Sequence, residues 1–94
     1  MSKSFMKTAL TRCLDLKKKY PNSIILLEAG NFFFAYREDA AVVSKVLGTT
    51  LSKSFQTNST YTIFQSTRLN ENIEKLIKAG HRVAVCSKLQ PPRK

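Results

Sequence analysis

An α/β domain, with a small mixed β-sheet flanked by about three helices, is the fold class this sequence predicts, and three observations carry the expectation. Short apolar runs rich in Ile, Val and Phe (residues 24–27, 32–36 and 82–86) alternate with segments whose apolar residues recur every three to four positions. Gly30, Gly48 and Gly80, the only glycines, each fall where one such segment gives way to the next. Ninety-four residues, 43% of them apolar, suffice for one domain with a modest core.

The elements follow in order. In residues 4–20 the positions Phe5, Ala9, Cys13, Leu16 and Tyr20 line one face of a helix, with Lys3, Lys7, Arg12 and Lys18 largely elsewhere. Lys17, Lys18 and Lys19 fill its last turn, where cations complement the helix dipole and read as a solvated end, and Pro21 stops it. Ile24 to Leu27 reads as a buried strand, Gly30-Asn31 as a tight turn, and Phe32 to Tyr36 as the returning strand of a hairpin. Glu38 and Asp39 open the next helix at its positive end, Ala40, Val43 and Leu47 form its inner stripe, and Gly48 closes it. Leu51 and its neighbours make a short strand, Phe55 to Thr60 a polar loop, and Tyr61 to Phe64 another strand. Ser66 or Thr67 is placed to cap a third helix, with Leu69, Ile73, Leu76 and Ile77 inward and the pairs Glu71–Lys75 and Glu74–Lys78 outward. Gly80 ends it, Arg82 to Cys86 is the last strand, and residues 90–94 (QPPRK) are a frayed basic tail.

Composition narrows the function classes. Sixteen basic against six acidic residues give a formal net charge of +10, which favours an anionic partner without locating a groove, because the cations are spread along the chain. No run of eighteen apolar residues and no apolar signal region follow the polar start, so the expectation is a cytosolic protein with no membrane association. Cys13 and Cys86 form no CxxC and sit in apolar periodic segments, as buried free thiols do. His81 is the only histidine, and no serine or cysteine stands in an activating context. The adjacent Glu38 and Asp39 fit a first helical turn better than a metal site, and no Gly-rich phosphate loop is present. The expectation is therefore a non-enzyme that uses no metal, no cofactor and no ATP.

The stretch from Gly30 to Ser54 (GNFFFAYREDAAVVSKVLGTTLSKS) carries the chemistry. Its order of Gly, Asn, Phe, aromatic, two residues, aromatic, then Glu-Asp-Ala and later Leu-Ser-Lys resembles the N-terminal mismatch-reading domain, domain I, of the MutS family. Residues 17–27 (KKKYPNSIILL) and 76–86 (LIKAGHRVAVC) are similar to segments of that family as well, so the resemblance covers about residues 10 to 90. It implies that Phe32 takes the place of a wedge phenylalanine and that Phe34 stands where the family carries a base-contacting glutamate. It also implies a backbone contact by Lys53 and a groove-facing position near Tyr61. Arg37 and Lys88 complete the expected DNA-binding set on electrostatic grounds. Departures lie at Ile63, Phe64 and Gln65, where the family has a Gly-x-Pro turn, and at Ser87 and Lys88, in place of an acidic residue and a glutamine. The resemblance reads as a divergent, free-standing copy of the domain.

Period two along the strand puts Phe32, Phe34 and Tyr36 on one face and Phe33 and Ala35 on the other. Phe34 accepts no hydrogen bond, so reading would proceed by shape and deformability. A sheet covered on both faces also explains three phenylalanines as core, and for Phe34 both readings stay open. The leading expectation is a small module that binds duplex DNA, mismatched or distorted, through charge and an aromatic wedge, alone or beside a separate repair-protein subunit. The alternatives are a protein-interaction module that retains the fold, and a single-stranded nucleic-acid binder that stacks bases on Phe32, Phe34 and Tyr61.

Overall fold

The structure, a computed structural model, describes residues 3–55 and 57–86, with side chains from Thr8 onward. Helix α1 (Lys3–Lys19) leads into strand β1 (Ser23–Ala29), which turns through Gly30-Asn31 into β2 (Phe32–Tyr36). Gly30 has a φ of 63°, at the first position of a two-residue reversal where glycine is favoured. Helix α2 (Arg37–Leu47), β3 (Ser52–Ser54), β4 (Ser59–Gln65), a 3-10 turn (Ser66–Arg68), α3 (Leu69–Lys78) and β5 (Arg82–Cys86) complete the order. The predicted loop is thus shorter than the polar composition suggests: Ser59 and Thr60 already pair with Ser54 and Lys53.

The five strands form one mixed sheet in the order β3-β4-β2-β1-β5, antiparallel except for the β1–β5 pair. α1 covers one face, where Ala9, Leu10 and Cys13 pack with Ile25, Leu27, Ala29, Phe34 and Tyr36. α2 and α3 cover the other, around Ile24, Leu26, Phe33, Ala35, Ala40, Val43, Phe64 and Leu76. Alternate residues of β1 and β2 feed the two clusters, so the central strands are apolar on both faces.

Three expectations are corrected by packing. Ile77 is 56% exposed, while the amide-bearing Asn72 takes a buried place on α3. Neither Ser66 nor Thr67 caps α3: a 3-10 turn intervenes, and neither that turn nor α3 has a side-chain cap. Glu71 pairs with Lys75 at 3.7 Å as expected, but its second partner is Arg68 at 3.3 Å, and no Glu74–Lys78 pair forms among the described residues. Gly48, at φ 77°, closes α2 as predicted, its N–H donating to the Ser44 carbonyl. No helix among the described residues is long and apolar enough to cross a membrane.

Lys17 is not the solvated helix end its neighbours suggest. Its ammonium donates to Asp39 Oδ1 at 2.8 Å and to the Ser23 carbonyl at 2.6 Å, while Asp39 Oδ2 accepts the Ile25 N–H at 3.0 Å. One buried carboxylate therefore joins the end of α1, the start of β1 and the first turn of α2. Both cysteines are free; Cys13 is buried and Cys86 half-buried. Burial, followed by the nearby Asp39 carboxylate, pushes the Cys13 thiol from 9.0 up to about 12. Burial also raises Tyr36, whose buried hydroxyl has no hydrogen-bond partner among the described residues, and neighbouring Cys13 and Tyr61 push it the same way.

Two outcomes follow from this packing. Asp39→Ala strands the Lys17 ammonium and the Ile25 N–H, and should lower stability by about 3 kcal/mol, read as a shifted denaturant midpoint at constant slope. A loss within about 0.5 kcal/mol, the range of ordinary surface changes, would show that the tie carries little. The neutral forms of Cys13 and Tyr36 are the ones the fold favours. The Cys13 contribution is complete below pH 9.0 and is lost as pH rises toward about 12, and Tyr36, raised from 10.0, adds to the loss above that value, so the melting temperature should fall as pH rises above 9.0. Cys13→Ala should flatten the descent.

Candidate nucleic-acid interface

The three phenylalanines of β2 have three different environments. Phe33 faces α2 and α3 and stacks on Phe64, with ring centroids 5.7 Å apart. Phe34 shares the other face with Phe32, yet only 6% of it is exposed, because α1 lies over it. Its ring belongs to an aromatic triangle, 6.0 Å from Tyr36 and 6.2 Å from Tyr61, which are themselves 6.2 Å apart. Phe32 pairs with Ala29 and Gln65 at the hairpin end of the same face, and it remains 39% exposed.

Of the two readings left open for Phe34, this placement favours core. Its side chain packs beneath α1 and is not presented at the surface beside Phe32. The single-stranded reading loses one of its three stacking residues for the same reason. A second, Tyr61, is half-buried against the Phe34–Tyr36 row.

The remaining predicted contacts are not gathered around Phe32. Arg37 is exposed just past the far end of β2, whose last residue, Tyr36, lies about 13 Å along the strand from Phe32 at the usual rise. Its backbone has φ 58°, a left-handed conformation uncommon for a residue with a Cβ, and its Nε donates weakly to Ser59 Oγ at 3.4 Å. Lys53 is exposed on the short edge strand and pairs with Thr60, so it points to the face opposite Phe32 and Tyr61. Lys88 lies outside the described residues. Exposed cations such as Arg12, Lys45, Lys53, Arg68 and Lys78 occur on several elements rather than in one stripe.

Two features escape a reading by composition. Phe55 is 99% exposed in the β3–β4 turn, one residue past Ser54. A polar run conceals it, although a lone aromatic among Ser, Gln, Thr and Asn is itself a signal. The other is a cleft beside Phe32, lined by Asn31, Gln65, Ser66 and Thr67. These residues meet only because β4 returns alongside β2, which no local spacing reveals.

Two of the six carboxylates are already engaged. Asp39 is committed to Lys17 and the Ile25 N–H, and Glu71 to Arg68 and Lys75.

Comparison with known proteins gives this geometry a family. The family model for MutS domain I matches residues 8–94. DNA mismatch repair protein MutS of Flavobacterium johnsoniae is 39% identical over 82 residues, covering 84% of this chain and 9% of that protein. MutS of Porphyromonas gingivalis is 35% identical over 98 residues, 100% of this chain and 11% of its own length. MutS of Thermotoga neapolitana is 35% identical over 89 residues, 95% of this chain and 11% of its own. The chain thus spans about a tenth of the length of the curated relatives it matches. With an α/β sheet of matching character and a family match across nearly all of its described residues, this chain belongs to the MutS domain I family.

Proposed function

We propose that this domain is a non-catalytic DNA-binding module that engages mismatched or otherwise distorted duplex DNA through basic charge and a Phe32 wedge. The observation that supports it most is the exposure of Phe32, for which the resemblance implies the wedge position, while Phe33 and Phe34 are buried. An apolar ring at a strand end, outside both core clusters, is suited to enter a softened base step. The +10 charge supplies the sequence-independent attraction to phosphates that brings the wedge to the helix. In this reading the domain works in the cytosol, alone or beside a separate repair subunit, without ATP, metal or cofactor of its own.

A protein-interaction surface is the second reading, favoured by the open edge of β4. β3 pairs only with Ser59 to Tyr61, which leaves the outer edge beyond Tyr61 without a strand partner among the described residues, and Ile63 there is 37% exposed. Unpaired strand edges and exposed aliphatics are features that partner chains use.

Fluorescence anisotropy separates the readings. The domain should bind duplex oligonucleotides with a Kd of about 10⁻⁴ to 10⁻⁶ M at physiological salt, and the affinity should fall steeply as salt rises. Absence of binding to every oligonucleotide at low salt would reject the DNA reading in favour of the interaction surface. Phe32→Ala should weaken binding with little change in melting temperature, whereas Phe33→Ala should cost about 3 to 5 kcal/mol of stability. Phe34→Glu should destabilise by several kcal/mol, since it forces a carboxylate under α1. A stable Phe34→Glu domain with altered mismatch preference would instead place Phe34 at the DNA.

A further inference from the structure

We infer that the cleft beside Phe32 is a binding site for an extruded nucleobase, and that Gln65 is the residue that hydrogen-bonds its edge. The inference rests on the DNA-binding reading above and assigns to that surface a specificity residue.

The register places Gln65. The Ser66 N–H donates to the Asn31 carbonyl at 2.9 Å, so Asn31 and Ser66 form a hydrogen-bonded pair in the antiparallel ladder. Alternation then makes Phe32 and Gln65 a non-hydrogen-bonded pair, the kind in which opposed side chains lie closest, with Cβ atoms about 4.5 to 5.5 Å apart. Both side chains project from the same face, and both are exposed. The pair is held from both sides, by the Asn31–Ser66 link at one end and the core pair Phe33–Phe64 at the other.

The chemistry follows from what surrounds the ring. Asn31, Gln65, Ser66 and Thr67 line the cleft with amides and hydroxyls and no charged side chain. Gln65 precedes the 3-10 turn but does not spend its side chain capping it. Its amide is left to offer one acceptor and two donors beside the aromatic ring. A base displaced by a wedge presents both donors and acceptors along its edge, and a glutamine meets the N6 and N7 atoms of adenine in bidentate fashion. Phe34, buried beneath α1, supplies no polar group on that side. An amide also adds no negative charge beside phosphate.

Binding of the 94-residue chain to three duplexes tests this by anisotropy: fully paired, one with a single unpaired adenine, and one with an abasic residue at the same position. The abasic duplex is as easily deformed but has neither a base edge to read nor a ring to stack, so the share of an adenine preference that Gln65 supplies is the share its variants remove. The native domain should prefer the unpaired adenine by about tenfold, as one good bidentate contact provides. Gln65→Leu should erase that preference while leaving affinity for the paired duplex within about twofold, since no charge changes. Gln65→Ala, which cannot fill the cleft, should do the same if the leucine variant fails to fold. Phe32→Ala should weaken binding to all three. An adenine preference that survives both Gln65 variants overturns the assignment while leaving the wedge intact, as does a native domain that binds the adenine and abasic duplexes equally. Failure to bind any duplex at low salt removes the DNA reading together with the assignment.

Discussion

The carboxylate of Asp39 is the constraint on which the arrangement of this domain depends. Through Lys17 and the Ile25 N–H it joins α1, β1 and α2, three elements that lie on or in different layers. Its place in the first turn of α2 suits the helix dipole, but that effect alone is worth only fractions of a kcal/mol at an exposed end. Burial makes the difference. An unpartnered carboxylate there would be costly, so the fold that satisfies it is selected over arrangements that displace either helix. Lys17 gains a second acceptor in the Ser23 carbonyl, which fixes the end of α1 at the edge where the first strand begins.

With α1 so anchored, the fate of the aromatic strand is set. The helix lies across β1 and β2 and buries Phe34 and Tyr36, while Phe32, next to the hairpin turn, lies outside that cover. The sharp passage from β2 into α2 is made through the left-handed backbone of Arg37, a conformation that costs a residue with a Cβ on the order of 1 kcal/mol. Buried Tyr36 on one side and tied Asp39 on the other hold it there. Structure and surface chemistry are therefore coupled: the forces that bury two of the three phenylalanines leave the third beside the polar cleft.

A similar division appears on α3 and β4. The Thr62 hydroxyl donates to the Thr50 carbonyl at 2.7 Å and ties the segment after α2 to β4, while β3 pairs only with Ser59 to Tyr61 and the edge beyond Tyr61 stays open among the described residues. On α3, Asn72 enters the buried layer and Ile77 is turned outward, although the apolar spacing favours the reverse. The helix is short and enters from a 3-10 turn, and that entry sets its rotation against β5 and α2.

The sequence by itself determined the alternation of elements, the Gly30-Asn31 hairpin, the Gly48 stop and the family, because these depend on local φ/ψ requirements, on the period of apolar residues and on motif order. It also determined that Phe32, Phe34 and Tyr36 share a face. What it could not determine is which of them a helix some twenty residues away in the chain would cover, or that Lys17 and Asp39 would meet. Only the tertiary structure decided that Phe34 is core and Phe32 surface, and that Gln65 stands opposite Phe32. The physical reason is that burial and cross-strand register depend on contacts between distant segments, for which local period and charge are identical in either outcome.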